Sequence, residues 1–166
     1  MTSALKVDVD NEFGSVLHEA DLLARSLARL EIRAEEDEAL AWVQTAGLAA
    51  AVEKIYSGCE RIMQMLAKGI DGEPVDHADG WHGALLSRMA HDYPGVRGSI
   101  ISVGCRDALD RFRAFRHRVR NSYGGLLDPE IVADRAHELA PTLALFHDEV
   151  AAFFERMETG ESSPPA

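Results

Sequence analysis

The residues of this sequence best suited to chemistry are arginines concentrated between positions 106 and 120. The whole chain has 17 basic and 28 acidic side chains, and this segment alone contains six arginines against two acidic residues. A guanidinium group stays protonated at neutral pH and binds carboxylates or phosphates through paired hydrogen bonds. We therefore expect this segment to bind an anion or to form ion pairs with acidic neighbours. Its arginines are Arg106, Arg111, Arg113, Arg116, Arg118 and Arg120.

Helical spacing separates the side chains of this segment into faces. At about 100° per residue they form one apolar stripe, and Arg116 falls at the edge of that stripe. Arg111 and Arg118 point to the opposite side, as expected for solvent-exposed charges. The residues of the apolar stripe are Ala108, Phe112, Phe115, Val119 and Tyr123. The polar residues that follow Arg116 around the helix are Arg113, His117, Arg120 and Asn121.

The position of Arg116 beside an apolar stripe permits two interpretations. A buried guanidinium is costly unless a negative group pairs with it. The partner could be a carboxylate of a neighbouring helix, for instance Glu53 or Glu60. The alternative is an anionic ligand bound by a phosphate-binding face, which would consist of Arg113, Arg116 and Arg120, with His117 and Asn121 as proton or hydrogen-bond partners.

Other constellations for catalysis or cofactor binding are missing from the sequence. The histidines lack the spacing of metal ligands, and there is no glycine-rich phosphate loop, so we expect neither a metal site nor a cofactor. Asp71, Asp76 and Asp79 are too irregularly spaced for a calcium loop and are expected to form turns. Cys59 and Cys105 lie in apolar helical patterns and are expected to be buried free thiols.

Apolar residues recur at helical spacing almost throughout, and no pattern typical of a strand is present. The sequence therefore predicts an all-α fold, most simply an up-and-down bundle of four or five helices. Asp79 is expected to cap the third helix, Ser99 to open the fourth and Asp128-Pro129 to open the fifth. The predicted helices span residues 10–32, 36–68, 81–91, 99–123 and 129–157.

The length of 166 residues fits one domain, and the composition is that of an ordinary globular protein. We expect a flexible N-terminus at 1–9, a single helical domain at 10–157 and a disordered tail at 158–166. No apolar run is long enough for a membrane span, and the N-terminus does not resemble a signal peptide, so a soluble cytoplasmic protein is expected. The net charge of −11 argues against a general polyanion-binding protein.

The segment Arg116-His-Arg-Val-Arg-Asn-Ser-Tyr123 resembles the signature motif of the HEPN superfamily, and more closely that of the HepT-like ribonuclease toxins. That motif has an arginine and a polar residue, three further residues, a histidine, any residue and a tyrosine. Other segments resemble the HepT-like pattern in the same order, so the resemblance covers about residues 36–155. These segments are 55–62, 81–86, 115–117 and 123–128.

The resemblance implies a helical bundle that forms a homodimer with the two motif helices facing one cleft. It implies metal-independent cleavage of RNA in that cleft. It also implies a partner, an MNT-type nucleotidyltransferase antitoxin that attaches adenylate to the motif tyrosine (AMPylation). By position, Arg116 matches the motif arginine, His117 the polar residue and Tyr123 the modified tyrosine.

Asn121 stands where the motif has its histidine. Cleavage through the RNA 2′-hydroxyl needs a proton acceptor, which an imidazole provides and an amide does not. His117 lies one turn before Asn121, so an imidazole could still reach the same cleft. Two hypotheses follow: an active ribonuclease toxin that uses Arg116 with His117, or a catalytically inactive HEPN module that binds RNA, a nucleotide or a nucleotidyltransferase. The simplest alternative to both is a helical dimer whose arginines only form ion pairs.

Overall fold

The computed structural model describes residues 3–32, 37–121 and 127–160, and within them the chain forms five α-helices and no strand. The predicted all-α bundle is confirmed, with helix bounds that differ from the sequence pattern by a few residues. The helices are α1 (Ser3–Ile32), α2 (Glu38–Ile70), α3 (Trp81–Ala90), α4 (Val103–Asn121) and α5 (Pro129–Thr159). None of these described helices is long and apolar enough to cross a membrane.

Helix α2 is the centre of the bundle and packs against each of the other four helices. Its buried side chains recur at helical spacing, as the sequence predicted. Asp37 caps its N-terminus, because the side-chain carboxylate accepts hydrogen bonds from the backbone N–H groups of Ala39 and Leu40 at 2.9 and 3.1 Å. The large core side chains of α2 include Ile55, Tyr56, Ile62, Met63 and Leu66.

Helix α1 begins at Ser3, seven residues before the predicted start. Residues 3–9, expected to be a flexible N-terminus, are helical, and Val9 is fully buried in the core together with Phe13. The apolar helical pattern therefore includes Val9, which precedes the predicted start of the helix at residue 10. At Gly58, α2 approaches α1 so closely that a Cβ atom would collide with Val16. The predicted disordered tail lies largely outside the described residues, although α5 itself continues to Thr159.

A buried ion-pair cluster attaches α3 to the end of α2. Arg97 Nε and Arg88 Nε lie 2.6 and 2.7 Å from the two carboxylate oxygens of Asp71, whose side chain has no exposed surface. Arg97 also donates to the backbone carbonyls of Arg88 and His91. The interpretation of Asp71 as a turn residue was therefore incomplete, because its main partners are these two guanidinium groups. The cluster fixes the orientation of α3 relative to α2.

The caps of α3 and α4 differ from those expected. Gly80, with φ of 79°, precedes α3 and no side chain caps that helix, so Asp79 is not its cap. Helix α4 begins after Ser102 rather than at Ser99, and the Ser102 hydroxyl accepts a hydrogen bond from the Cys105 N–H at 3.1 Å. The intervening Ile100 and Ile101 are buried and donate their N–H groups to the Met89 carbonyl. This extended connection delays the start of α4.

Helix α5 begins as predicted. Asp128 accepts a hydrogen bond from the N–H of Glu130 at 2.9 Å, and Pro129 occupies the first turn. The helix continues through Pro141 and ends at Gly160, whose φ of 74° is typical of a glycine C-cap. Its buried face packs against α1, α2 and α4.

Candidate functional site

Arg116 on α4 forms an ion pair with Glu60 on α2. Arg116 Nη1 lies 2.9 Å from Glu60 Oε2, and the two side chains are 13% and 4% exposed. Arg116 Nε is also 3.8 Å from Glu53 Oε1, so both carboxylates named from the sequence lie beside this guanidinium. The ion-pair interpretation of Arg116 is confirmed. Arg116 keeps a small solvent-exposed area, and the interpretation as a ligand-binding residue stays a prediction.

A histidine from α3 completes this cluster. Nδ1 of His82 lies 2.5 Å from Glu60 Oε1, and Arg116 Nη1 lies 3.2 and 3.3 Å from the two ring nitrogens of His82. Trp81 stacks on the His82 ring with a centroid distance of 3.7 Å and an interplanar angle of 30°. One carboxylate, one imidazole and one guanidinium from three helices therefore meet at one point.

The other arginines of the predicted phosphate-binding face are also paired with carboxylates. Arg120 Nε bonds Glu53 Oε1, and Arg113 Nε lies 2.6 Å from Asp110 Oδ1 on its own helix. The hydrogen bond that Arg113 donates to Asp110 raises the pKa of the Arg113 guanidinium above its ordinary value. On the opposite side of α4, Arg111 lies 3.5 Å from Glu138 of α5. The basic segment is thus largely neutralised by carboxylates within this chain.

His117 and Asn121 lie together on the exposed side of α4, as their spacing of four residues predicted. Asn121 Nδ2 donates to the His117 carbonyl oxygen at 2.8 Å and lies 3.2 Å from the ring nitrogens of His117. Both side chains belong to exposed residues. Tyr123, the predicted modification site, lies outside the described residues, as does the predicted C-terminal end of α4.

Tyr56 lies on the buried side of the cluster, in the core. Its burial and the nearby charge of Glu60 raise the pKa of its hydroxyl, so the neutral phenol is favoured. Burial likewise raises the pKa of the Cys59 thiol to about 12, and the predicted buried free thiols are confirmed at Cys59 and Cys105. These groups are therefore poor proton acceptors or nucleophiles at neutral pH.

His82 was not among the predicted site residues, because the histidines lack the spacing of metal ligands and no other role was considered for His82. In the described part of the chain no group of three or more His, Cys, Asp or Glu side chains is arranged to hold a metal ion. The available signal for His82 was its place in the segment 81–86, which matched the HepT-like pattern. The partner Glu60 was named from the sequence for Arg116, but its contact with an imidazole was not foreseen.

Comparison with known proteins gives one match. The family model described as HepT-like protein matches residues 47–157, which include α3, α4, most of α2 and most of α5. No match was found to a curated protein or to a solved structure. The matched range contains the whole Glu60, His82 and Arg116 cluster together with His117 and Asn121. The chain belongs to the HepT-like protein family.

Proposed function

We propose that this protein is a HepT-like toxin that cleaves RNA without a metal ion and acts as a homodimer with an MNT-type nucleotidyltransferase antitoxin. Arg116 stabilises the reacting phosphate, Arg113 and Arg120 bind neighbouring phosphates, and His117 and Asn121 contact the RNA from the exposed side of α4. The transferase inactivates the toxin by adding adenylate to Tyr123. The site on α4 and the family membership support this proposal.

The observation that carries the proposal is the convergence of two guanidinium groups on one oxygen atom. Arg120 Nε bonds Glu53 Oε1, and Arg116 Nε lies 3.8 Å from the same oxygen. Arg116 Nε is buried and has no hydrogen-bond partner among the described residues. Buried donors without a partner are unusual in proteins. A phosphate that displaced the Glu53 carboxylate would meet the same two guanidinium groups, and an oxygen that came closer to Arg116 Nε than the present 3.8 Å would satisfy this donor.

A second function is favoured by a different observation. The imidazole of the family motif is absent at Asn121, and each arginine of the predicted phosphate-binding face has a carboxylate partner. A catalytically inactive module would retain binding of RNA, a nucleotide or the transferase without cleavage. Binding through about three phosphate contacts should weaken with salt, with a slope of about −2 in log affinity against log salt. Purified protein that binds RNA in this way and leaves it uncut would favour the module.

Expression of the protein alone in a bacterium tests the proposed toxin. We expect growth arrest with the wild type, relief on coexpression of a cognate nucleotidyltransferase, and normal growth with Arg116→Ala. Arg118→Ala, on the opposite side of α4, is the matched control and should still arrest growth. Equal protein levels and helical circular dichroism spectra must accompany each comparison. Growth that is unaffected by the wild-type protein would contradict toxin function.

A further inference from the structure

His82 has the surroundings of a histidine prepared for proton transfer. Its side chain is 30% exposed, whereas the Glu60 carboxylate to which it is bonded is 4% exposed. The imidazole is therefore partly accessible to solvent, and the carboxylate that it contacts is almost fully buried. The stacked indole of Trp81 restricts the ring on one face.

The contact with Glu60 determines which ring nitrogen can accept a proton. An ionised carboxylate only accepts hydrogen bonds, so Nδ1 of His82 must donate to Glu60 Oε1 across the 2.5 Å contact. In a neutral imidazole the other nitrogen, Nε2, then carries the free electron pair. A carboxylate that orients a histidine in this way also stabilises the imidazolium formed when the base accepts a proton.

The position of Arg116 places a cation beside this base. Arg116 Nη1 donates towards His82 Nε2 at 3.3 Å and also contacts Glu60. The RNA 2′-hydroxyl must therefore replace this Arg116 contact when it approaches Nε2. A fixed guanidinium next to a proton acceptor suits a reaction in which negative charge develops on a phosphate. His117 is arranged differently, because its ring lies 3.2 Å from the Asn121 amide on the exposed side of α4.

We propose that His82, oriented by Glu60, is the general base of this protein and supplies from α3 the imidazole that α4 lacks at Asn121. This inference rests on the proposed ribonuclease function. His82 Nε2 takes the proton of the RNA 2′-hydroxyl, and the 2′-oxygen forms a bond to phosphorus. The bond from phosphorus to the 5′-oxygen of the next nucleotide breaks, and that oxygen takes a proton from water. The imidazolium then returns its proton to solvent. The products have 2′,3′-cyclic phosphate and 5′-hydroxyl ends.

Cleavage of a fluorescently labelled single-stranded RNA pool of random sequence, measured across pH in EDTA, tests this assignment. His82→Gln keeps a donor for Glu60 but cannot accept a proton at neutral pH. We expect it to lose about 10²–10⁴-fold in cleavage rate, the usual contribution of a positioned base. RNA affinity should stay close to that of the wild type. His91→Gln, a histidine at the exposed end of α3, is the matched control and should cleave at the wild-type rate.

The pH profile separates a base from a structural residue. The charged and titratable groups around His82 are Glu60 from α2, Arg116 from α4 and, beyond Trp81, His77 from the preceding loop. A rate that depends on a histidine base rises with pH to a plateau, so the wild type should show such a rise, and the rise should vanish in the residual activity of His82→Gln. If His82→Gln does not fold, a nuclear magnetic resonance titration of the His82 ring in the wild type provides the second test. Its midpoint should coincide with that of the rate profile, and a mismatch would overturn the assignment.

The outcomes distinguish this inference from the proposed function. If the wild type cleaves RNA and His82→Gln cleaves within about threefold of the wild-type rate, the role of His82 is overturned, because a positioned base contributes far more than threefold. The ribonuclease proposal then stays intact. A folded wild type that leaves all RNA uncut overturns both. Loss of cleavage in His82→Gln with RNA binding retained supports both.

Discussion

Glu60 and Arg116 lie 56 positions apart in the sequence, and the packing of α4 on α2 brings their charged groups to 2.9 Å. Glu60 is almost fully buried and bonds both Arg116 and His82. The Glu60 carboxylate therefore stabilises the packing of α4 on α2 and also positions Arg116 and His82 in the candidate site.

The burial of this pair predicts a strong effect on stability. Glu60→Ala leaves Arg116 largely buried without its main partner, and removal of one member of a buried pair costs about 3–5 kcal/mol in free energy of unfolding. Arg120→Ala removes an ion pair whose arginine is 60% exposed, and such pairs contribute about 1 kcal/mol or less. Urea denaturation followed by circular dichroism measures both. Equal losses in the free energy of unfolding for Glu60→Ala and Arg120→Ala would show that the Glu60 pair is not a principal stabilising contact.

Glu53 is expected to compete with RNA for Arg116 and Arg120. Glu53→Gln removes the negative charge that both guanidinium groups approach, so we predict tighter RNA binding, by up to about tenfold, the equivalent of a 1.4 kcal/mol gain. Fluorescence anisotropy with labelled single-stranded RNA at several salt concentrations measures the change. Glu19→Gln, a carboxylate on α1 that pairs with Lys54, serves as the control for net charge. Weaker or unchanged binding in Glu53→Gln would place the RNA elsewhere.

Asn121→His restores the imidazole of the family motif. The new ring would lie beside His117 at the exposed side of α4, where it could protonate the departing 5′-oxygen while His82 acts as base. We predict a cleavage rate equal to or above that of the wild type, measured on the same RNA pool. Asn121→Asp is the control, since a carboxylate there would repel RNA and lower the rate. A folded Asn121→His variant that cleaves more slowly would argue against a role for this position in catalysis.

Tyr123 is predicted to be the residue that the transferase modifies. Adenylate attached there adds phosphate and bulk near the motif helix and should block access of RNA. Incubation with the cognate nucleotidyltransferase and ATP should add nucleotide mass to the wild type, observed by intact mass spectrometry, and none to Tyr123→Phe. Tyr93→Phe, in the loop after α3, is the control and should be labelled like the wild type. Labelling that persists in Tyr123→Phe would exclude this residue as the target.

Those parts of the structure that depend on local sequence could be predicted. The spacing of apolar residues identified the buried faces of α2 and α4, and Asp128-Pro129 identified the start of α5, because caps and helical periodicity are encoded within a few residues. A negative partner for Arg116 could also be foreseen, since a guanidinium beside an apolar stripe needs one, and Glu60 was one of the two carboxylates named for it.

The contacts between distant elements could not be derived in the same way. His82 reaches Glu60 because the ion pairs of Asp71 with Arg88 and Arg97 orient α3 against α2, and nothing in the spacing of these residues reveals that arrangement. Ser102 replaces Ser99 as the α4 cap because Ile100 and Ile101 are drawn into the core. Tertiary packing decided both outcomes.

Cleavage of RNA by the purified protein and by its Arg116→Lys variant tests whether the Arg116 guanidinium stabilises the reacting phosphate. Lysine keeps the charge but loses the fork of donors that contacts Glu60 and an approaching phosphate, so the rate should fall by about 10²–10³-fold, the effect of removing one donor to a reacting oxyanion. Arg118→Lys should cleave like the wild type, and EDTA should leave every rate unchanged. We expect 2′,3′-cyclic phosphate ends whose formation depends on Arg116. RNA cleaved equally well by folded Arg116→Lys, or left intact by the wild type, would contradict this expectation.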